Sequence, residues 1–214
     1  MKLKWLGHAS FLITAEDGTR IITDPFGEYP GLSYEPIREE ADVVLTSHDH
    51  GDHRGGKVGG NPAQVKTGGV HKVKGIEFKG IPTYHDTAEG GERGRNLVFC
   101  FEVDGLRTCH LGDLGHELSE SQLAEIGQVD VLMIPVGGFF TIDAPTASAV
   151  SNRIKPGVTV PMHFRTPECD FPISGVEEFL KGKPRVRRLD TTEIELGRGD
   201  LPGENEVLVF KCGA

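Results

Sequence analysis

The chain has 214 residues, with 23 basic and 32 acidic side chains and a formal charge of −9. That length suits one domain with a sizeable core, and an acidic total is not drawn to phosphate backbones by its overall field. Glycine at 29 residues and proline at 13 favour short strands and tight turns over long helices. The cluster Arg185, Arg187 and Arg188 reads as solvated surface. The cysteines Cys100, Cys109, Cys169 and Cys212 have no C-x-x-C spacing. No apolar run approaches the ~20 residues of a membrane span, and the N-terminus lacks signal-peptide character. A cytoplasmic protein with reduced thiols is the expectation.

Residues 3–6 and 10–15 alternate as strands, and Asp17-Gly18 is a hairpin signal leading to a returning strand at 20–23. Residues 27–40 read as a surface loop. The short apolar run 41–46, ADVVLT, suits a buried strand. Glycines dominate 54–69, so any helix there must be short. Strands are predicted at 73–79 and 81–84. A further hairpin turns at Asp104-Gly105 and runs to Asp113. Residues 119–126 have helical composition, with Leu118, Leu123 and Ile126 on one face. A buried strand at 129–136, a helix at 145–155 with proline early, a strand at 159–162, a short helix at 176–180 and a final strand near 206–211 complete the pattern. No linker marks a boundary, so 1–214 reads as one domain.

The stretch TSHDHGDHRG places His48, His50, Asp52 and His53 directly after the buried strand. Imidazole and carboxylate are the nitrogen and oxygen ligands of zinc and similar cations. In an extended segment, residues two apart face the same way, so His48 and His50 can grip one ion from one side. Gly51 permits a turn that directs Asp52 and His53 towards a second. A solvated polar loop is the bland alternative, but four ligand-type side chains after a buried strand have little structural motive. Other ionisable residues also follow apolar strands: Asp24, His85, Asp113 and His163. His71 and His110 compete with His85 for a ligand role in the middle segment.

The spacing H-x-H-x-D-H resembles the signature of the metallo-β-lactamase superfamily. The order of Asp24, His85 in IPTYHD, Asp113 in CHLGDLG and His163 in VPMHF extends the likeness from about Lys2 to Phe164. LGHASFLI, TDPF and IPVGGFFT are similar to its branch of small metal-dependent hydrolases, which includes enzymes resembling ascorbate-phosphate lactonase. The resemblance implies an α/β fold of α+β type, a four-layer αββα sandwich of two mixed sheets with a two-metal site at one edge. It implies His48, His50 and His85 on the first ion, Asp52, His53 and His163 on the second, and Asp113 bridging. Asp24 would orient a ligand histidine from behind, as would His8, with His110 a near neighbour. The superfamily commonly starts a longer helix after the cluster than RGGKVGGNPAQ permits. Phe139 and Phe140 would line the pocket or belong to the core.

The implied function is a metal-dependent hydrolase with two divalent ions, zinc expected and manganese or iron as alternatives. A hydroxide bridging them would attack an ester, lactone or phosphodiester of a small molecule, with Asp52 and Asp113 as catalytic carboxylates. His110 and Asp86 are candidate proton donors. Arg54, Lys57, Arg93, Arg95 and Arg165 are candidates to bind an anionic substrate. Competing readings are a nuclease, a single-iron enzyme similar to sulfur dioxygenases, and a non-enzymatic metal-binding or sensor protein. No nucleic-acid or membrane partner is expected; a homo-oligomer is compatible with the sequence.

Overall fold

The computed structural model describes residues 1–212. The chain runs through β1 (Lys2–Gly7), β2 (Ser10–Thr14), β3 (Arg20–Thr23), β4 (Val43–Leu45), the single turn α1 (Gly51–Arg54), β5 (Ala63–Val65), β6 (Gly69–Val73), β7 (Ile76–Tyr84), β8 (Arg95–Val103), β9 (Leu106–His110) and α2 (Glu120–Ile126). It continues through β10 (Val131–Pro135), α3 (Ala144–Ile154), β11 (Val158–Met162), α4 (Glu177–Leu180), β12 (Val186–Arg188), β13 (Glu193–Glu195) and β14 (Glu206–Val209). Two mixed sheets result, ordered β13-β1-β2-β3-β4-β5 and β12-β14-β11-β10-β9-β8-β7-β6.

The core lies between the sheets. Ile21, Val43 and Leu45 face it, whereas Ile22 and Val44, one residue out of phase, face a second cluster with Phe26, Ile37 and Ala41. Period-two alternation therefore buries β3 and β4 on both faces. The outer cover of the first sheet comes from the 27–40 segment, whose Leu32 and Tyr34 pack on that second cluster. Helices serve the second sheet: α2 packs on β7, α3 on β10, and α4 on α3. Ser119 and Gln122 form a capping box at the start of α2, and Asp143 caps α3 by accepting from the Thr146 N–H. Among the described residues, no helix is long and apolar enough to cross a membrane.

One prediction needs correction. Residues 73–79 are not one strand: Lys74 and Gly75, at φ +52° and +80°, form a left-handed turn between β6 and β7. The segments 76–79 and 81–84 are instead one continuous strand, β7, through Pro82. Proline is tolerated there because β6 pairs only as far as Gly80, leaving the Pro82 nitrogen on an unpaired side. β6 and the three-residue strands β5, β12 and β13 carry little periodicity and have no counterpart in the sequence-based pattern.

Strand direction positions the site. β2 runs antiparallel to both β1 and β3, and β4 runs parallel to β3, so β1, β3 and β4 end at the same edge. In the other sheet, β7 and β9 are both antiparallel to β8, and β10 and β11 follow β9 in parallel. The carboxyl ends of these strands form one edge.

Candidate metal centre

Each candidate residue sits just past one of those strand ends: His8 after β1, Asp24 after β3, His48 to His53 after β4, His85 after β7, Asp113 after β9 and His163 after β11. His8, Asp24 and His163 have left-handed backbones, at φ +50°, +40° and +49°. That conformation costs a non-glycine residue about 1–2 kcal/mol. Its recurrence at one edge shows local preference yielding to the aiming of side chains.

The side chains fall into two groups. His48, His50 and His85 form one, and His8, Asp52, His53 and His163 form the other, with one donor atom from each residue of a group within 4.8 Å of the rest; Asp24, His48 and His53 make a third such set, which links the two. Asp113 lies between them. Its Oδ2 is 3.2 Å from the Nε2 atoms of His53, His85 and His163, and 3.8 Å from that of His48. Two ligands of one tetrahedral ion, bound at about 2.0 Å, lie about 3.3 Å apart. Despite these contacts, His48 Nε2, His53 Nε2 and Asp113 Oδ1 are buried without an aligned hydrogen-bond partner. Such spacing without hydrogen bonding, in a set of imidazoles and carboxylates, fits divalent metal ions.

The groups behind the cluster are anchored. Asp24 Oδ2 is 3.1 Å from His53 Nδ1, which leaves Nε2 facing Asp113. Asp24 also accepts from the Ser47 N–H and Oγ–H, both at 2.7 Å, and Ser47 Oγ lies 2.9 Å from His48 Nδ1. One buried carboxylate thus orients a histidine in each group. His110 spends both ring nitrogens on the backbone, donating from Nε2 to Ala9 O and accepting at Nδ1 from Gly112 N–H. It buttresses the site and does not enter it.

Burial opposes charge on these groups, and their contacts decide which of them escape that effect. Burial pushes His48 down to about 3, aided by His53, and His8 to about 4, aided by His163. It lowers His50 as well, with help from His85. Burial would raise Asp113, but His163 and His53 hold it well below the usual carboxylate range. Burial would also raise Asp24 and Asp52, yet the His53 bond lowers the first, and His8 and His53 lower the second. Burial would lower His53, but Asp113 and Asp24 together raise it well above the usual imidazole value. Carboxylates held low beside imidazoles that burial pushes down form a set ready to bind a cation.

The cluster opens into a cavity of about 550 Å³ whose walls include Tyr29, Phe140, Phe171 and Arg93. Phe140 faces it, whereas Phe139 is 64% exposed. Arg93 lies 5.9 Å from the Phe140 ring centre. Of the other basic candidates, Arg54 pairs with Asp49 and Arg165 with Asp170 at the exposed surface, and Lys57 lines a separate cavity of about 720 Å³ under the 27–40 segment. Arg185, Arg187 and Arg188 pair with exposed or half-buried glutamates.

Comparison with known proteins agrees with this geometry. Residues 2–163 match the beta-lactamase superfamily domain. The chain belongs to the metallo-β-lactamase superfamily. A solved structure from Thermotoga maritima, assigned to that superfamily, has 38% identity and a TM-score of 0.81 over 98% of this chain and 97% of that one. A UPF0173 metal-dependent hydrolase from Carboxydothermus hydrogenoformans is 32% identical over 78% of this chain and 85% of its own. Another from Archaeoglobus fulgidus is 28% identical over 94% and 97% of the two chains. This protein is an enzyme of that metal-dependent hydrolase family.

All seven residues that the motif resemblance nominates as ligands come to the one cluster, along with Asp24 and His8. His71 does not: it lies on β6, bonded to Thr67. The proposed proton donors are otherwise engaged. Asp86 accepts from the N–H groups of Ala88, Gly90, Glu92 and Arg93, and those bonds, that of Arg93 foremost, push its carboxyl down to about 2. It shapes the loop that carries Arg93.

Sequence reasoning missed Ser47, Asn96, His116 and the aromatic walls Tyr29 and Phe171. Buried Asn96 donates to Thr83 Oγ1 and Leu111 O and accepts from the Asp113 N–H at 2.9 Å, fixing the Asp113 turn. His116 accepts from the Tyr84 N–H next to His85. A polar residue opening an apolar strand, as in RNLVF, is a weak signal for such a role. Gly115 is tighter still: a Cβ there would collide with the backbone of His85 and Asp86. Gly115→Ala is expected to cost roughly 1–3 kcal/mol by overpacking, measured by urea denaturation, and to weaken metal retention by separating His85 from Asp113.

Proposed function

We propose that this enzyme hydrolyses an ester, lactone or phosphodiester bond of a small molecule, using two divalent ions, zinc foremost. The observation that carries this reading is the single Asp113 oxygen placed 3.2 Å from histidines of both groups. His48, His50 and His85 would hold one ion and Asp52, His53 and His163 the other, with Asp113 shared. Ions held there would supply a water activated for attack at neutral pH and Lewis acidity for the substrate oxygen. Asp24 keeps His53 in the tautomer that presents Nε2, and Ser47 does the same for His48. Tyr29, Phe140 and Phe171 shield the reacting bond from bulk water, and Arg93 is placed to hold an anionic group of the substrate.

The size of the cavity and its single arginine support a small substrate over a nucleic acid. We place the protein in the cytoplasm. Arg93→Gln is expected to raise KM for the diester bis(p-nitrophenyl) phosphate by roughly tenfold, about 1.4 kcal/mol. Hydrolysis of the neutral ester p-nitrophenyl acetate should change less than about twofold.

The deciding experiment is elemental mass spectrometry on tag-free protein, with a panel of esters, lactones and phosphodiesters assayed before and after chelation. About two zinc ions per chain, with activity lost on chelation and restored by zinc, would support the reading. One iron per chain and no hydrolysis would replace it with the dioxygenase reading.

A further inference from the structure

We propose that His8 is itself a ligand of the second ion, through Nε2, beside Asp52, His53 and His163. The inference rests on the two-ion reading above. His8 occupies the reversal between β1 and β2, at φ +50° and directly after Gly7 at φ +118°. Left-handed turn positions favour glycine, asparagine or aspartate, so an imidazole there has no turn-forming advantage. The backbone is clamped: His8 O accepts from Trp5 Nε1–H at 3.1 Å and from the His163 N–H at 3.2 Å.

The clamp sends the ring inward. His8 is 0% exposed, its ring centre is 4.2 Å from that of His163 and 5.1 Å from that of His53, and Nε2 is 3.4 Å from Asp52 Oδ2. Neither ring nitrogen has an aligned hydrogen-bond partner. His110, equally buried, shows what a structural imidazole does in this protein: both of its nitrogens are bonded to backbone. Leaving His8 unsatisfied would cost about 1–3 kcal/mol per buried polar atom, and an ion beside Asp52 removes the cost at Nε2. At 3.4 Å, His8 Nε2 and Asp52 Oδ2 are close enough together to share one ion. The second ion would then be enclosed by three imidazoles and a carboxylate in addition to Asp113. The first, beside exposed His50, stays the more open to substrate.

The test is NMR of ¹⁵N-histidine-labelled protein loaded with ¹¹³Cd, reading one-bond couplings from each ion to imidazole nitrogens. Two cadmium signals are expected, one coupled to His48, His50 and His85 and the other to His53, His163 and His8. His8→Gln should remove one coupling from the second signal, leaving the first signal in place. The wild-type couplings decide the matter even if that variant fails to fold. Couplings at the other five histidines, with a protonated uncoupled His8 Nε2, would overturn the ligand role and leave the two-ion reading standing. Couplings at none of them would overturn both.

Discussion

Asp113→Asn is expected to lose at least one metal ion per chain and roughly 10³-fold in kcat/KM, about 4 kcal/mol of transition-state stabilisation. The Asp113 Oδ2 atom touches His53, His85 and His163 at 3.2 Å, so one neutralised oxygen weakens both groups at once. An amide oxygen carries no charge and is a poorer ligand than a carboxylate for a divalent ion. The fold should survive. The Asp113 N–H bond to Asn96 is made by the backbone and does not depend on the side chain. Elemental analysis and steady-state kinetics on the same preparation check the expectation. Two ions retained, with wild-type kcat/KM, would remove Asp113 from the bridging role.

Asp24→Ala should damage stability as well as metal binding. The carboxylate is 1% exposed and serves the Ser47 N–H, the Ser47 hydroxyl and His53 Nδ1. Its removal leaves three buried groups unpaired, one of them a raised-pKa imidazole. Breaking such a pair costs roughly 3–5 kcal/mol, a large share of the ~5–15 kcal/mol by which domains are stable. Misorienting His53 and His48 should add a 10- to 100-fold loss of metal affinity. Urea denaturation of metal-free protein separates the first effect from the second, which is read by chelator competition.

The pH dependence has a definite sign. The folded-state value of Asp24 lies below its ordinary one, so its stabilisation is present above the ordinary carboxylate range. It is lost as pH falls through the lower folded value. The gap between wild type and Asp24→Ala should therefore narrow in strong acid. A gap that stays constant down to pH ~2 would deny the carboxylate an ionic role.

Much of the fold was legible because its signals are local. Asp17-Gly18 and Asp104-Gly105 mark hairpins through the backbone freedom that tight turns require, and both hairpins form. The run ADVVLT reads as a buried strand because it is apolar throughout, and β4 is buried on both faces. Local signals failed at Lys74-Gly75, where lysine took a left-handed position usually filled by asparagine or glycine. They also failed at β5, β12 and β13, three-residue strands held by neighbours and not by their own pattern.

The candidate site divides along the same line. His48, His50, Asp52 and His53 announce themselves because their spacing alone places four ligand-type groups within one turn and the strand end before it. The resemblance to the superfamily, in residue type and chain order, also nominates Asp24, His85, Asp113 and His163. Only the tertiary structure could bring these together, because their proximity depends on strand directions in two separate sheets. Only it could retire His110 and Asp86 as proton donors, since their bonds go to backbone atoms that no side-chain pattern encodes. It likewise placed Arg93, which pairs with Glu92, at the cavity wall, and Arg54 and Arg165 in pairs away from it. Turn chemistry and ligand type are properties of neighbours in sequence. Which imidazole remains unsatisfied, as His8 does, is a property of everything packed around it.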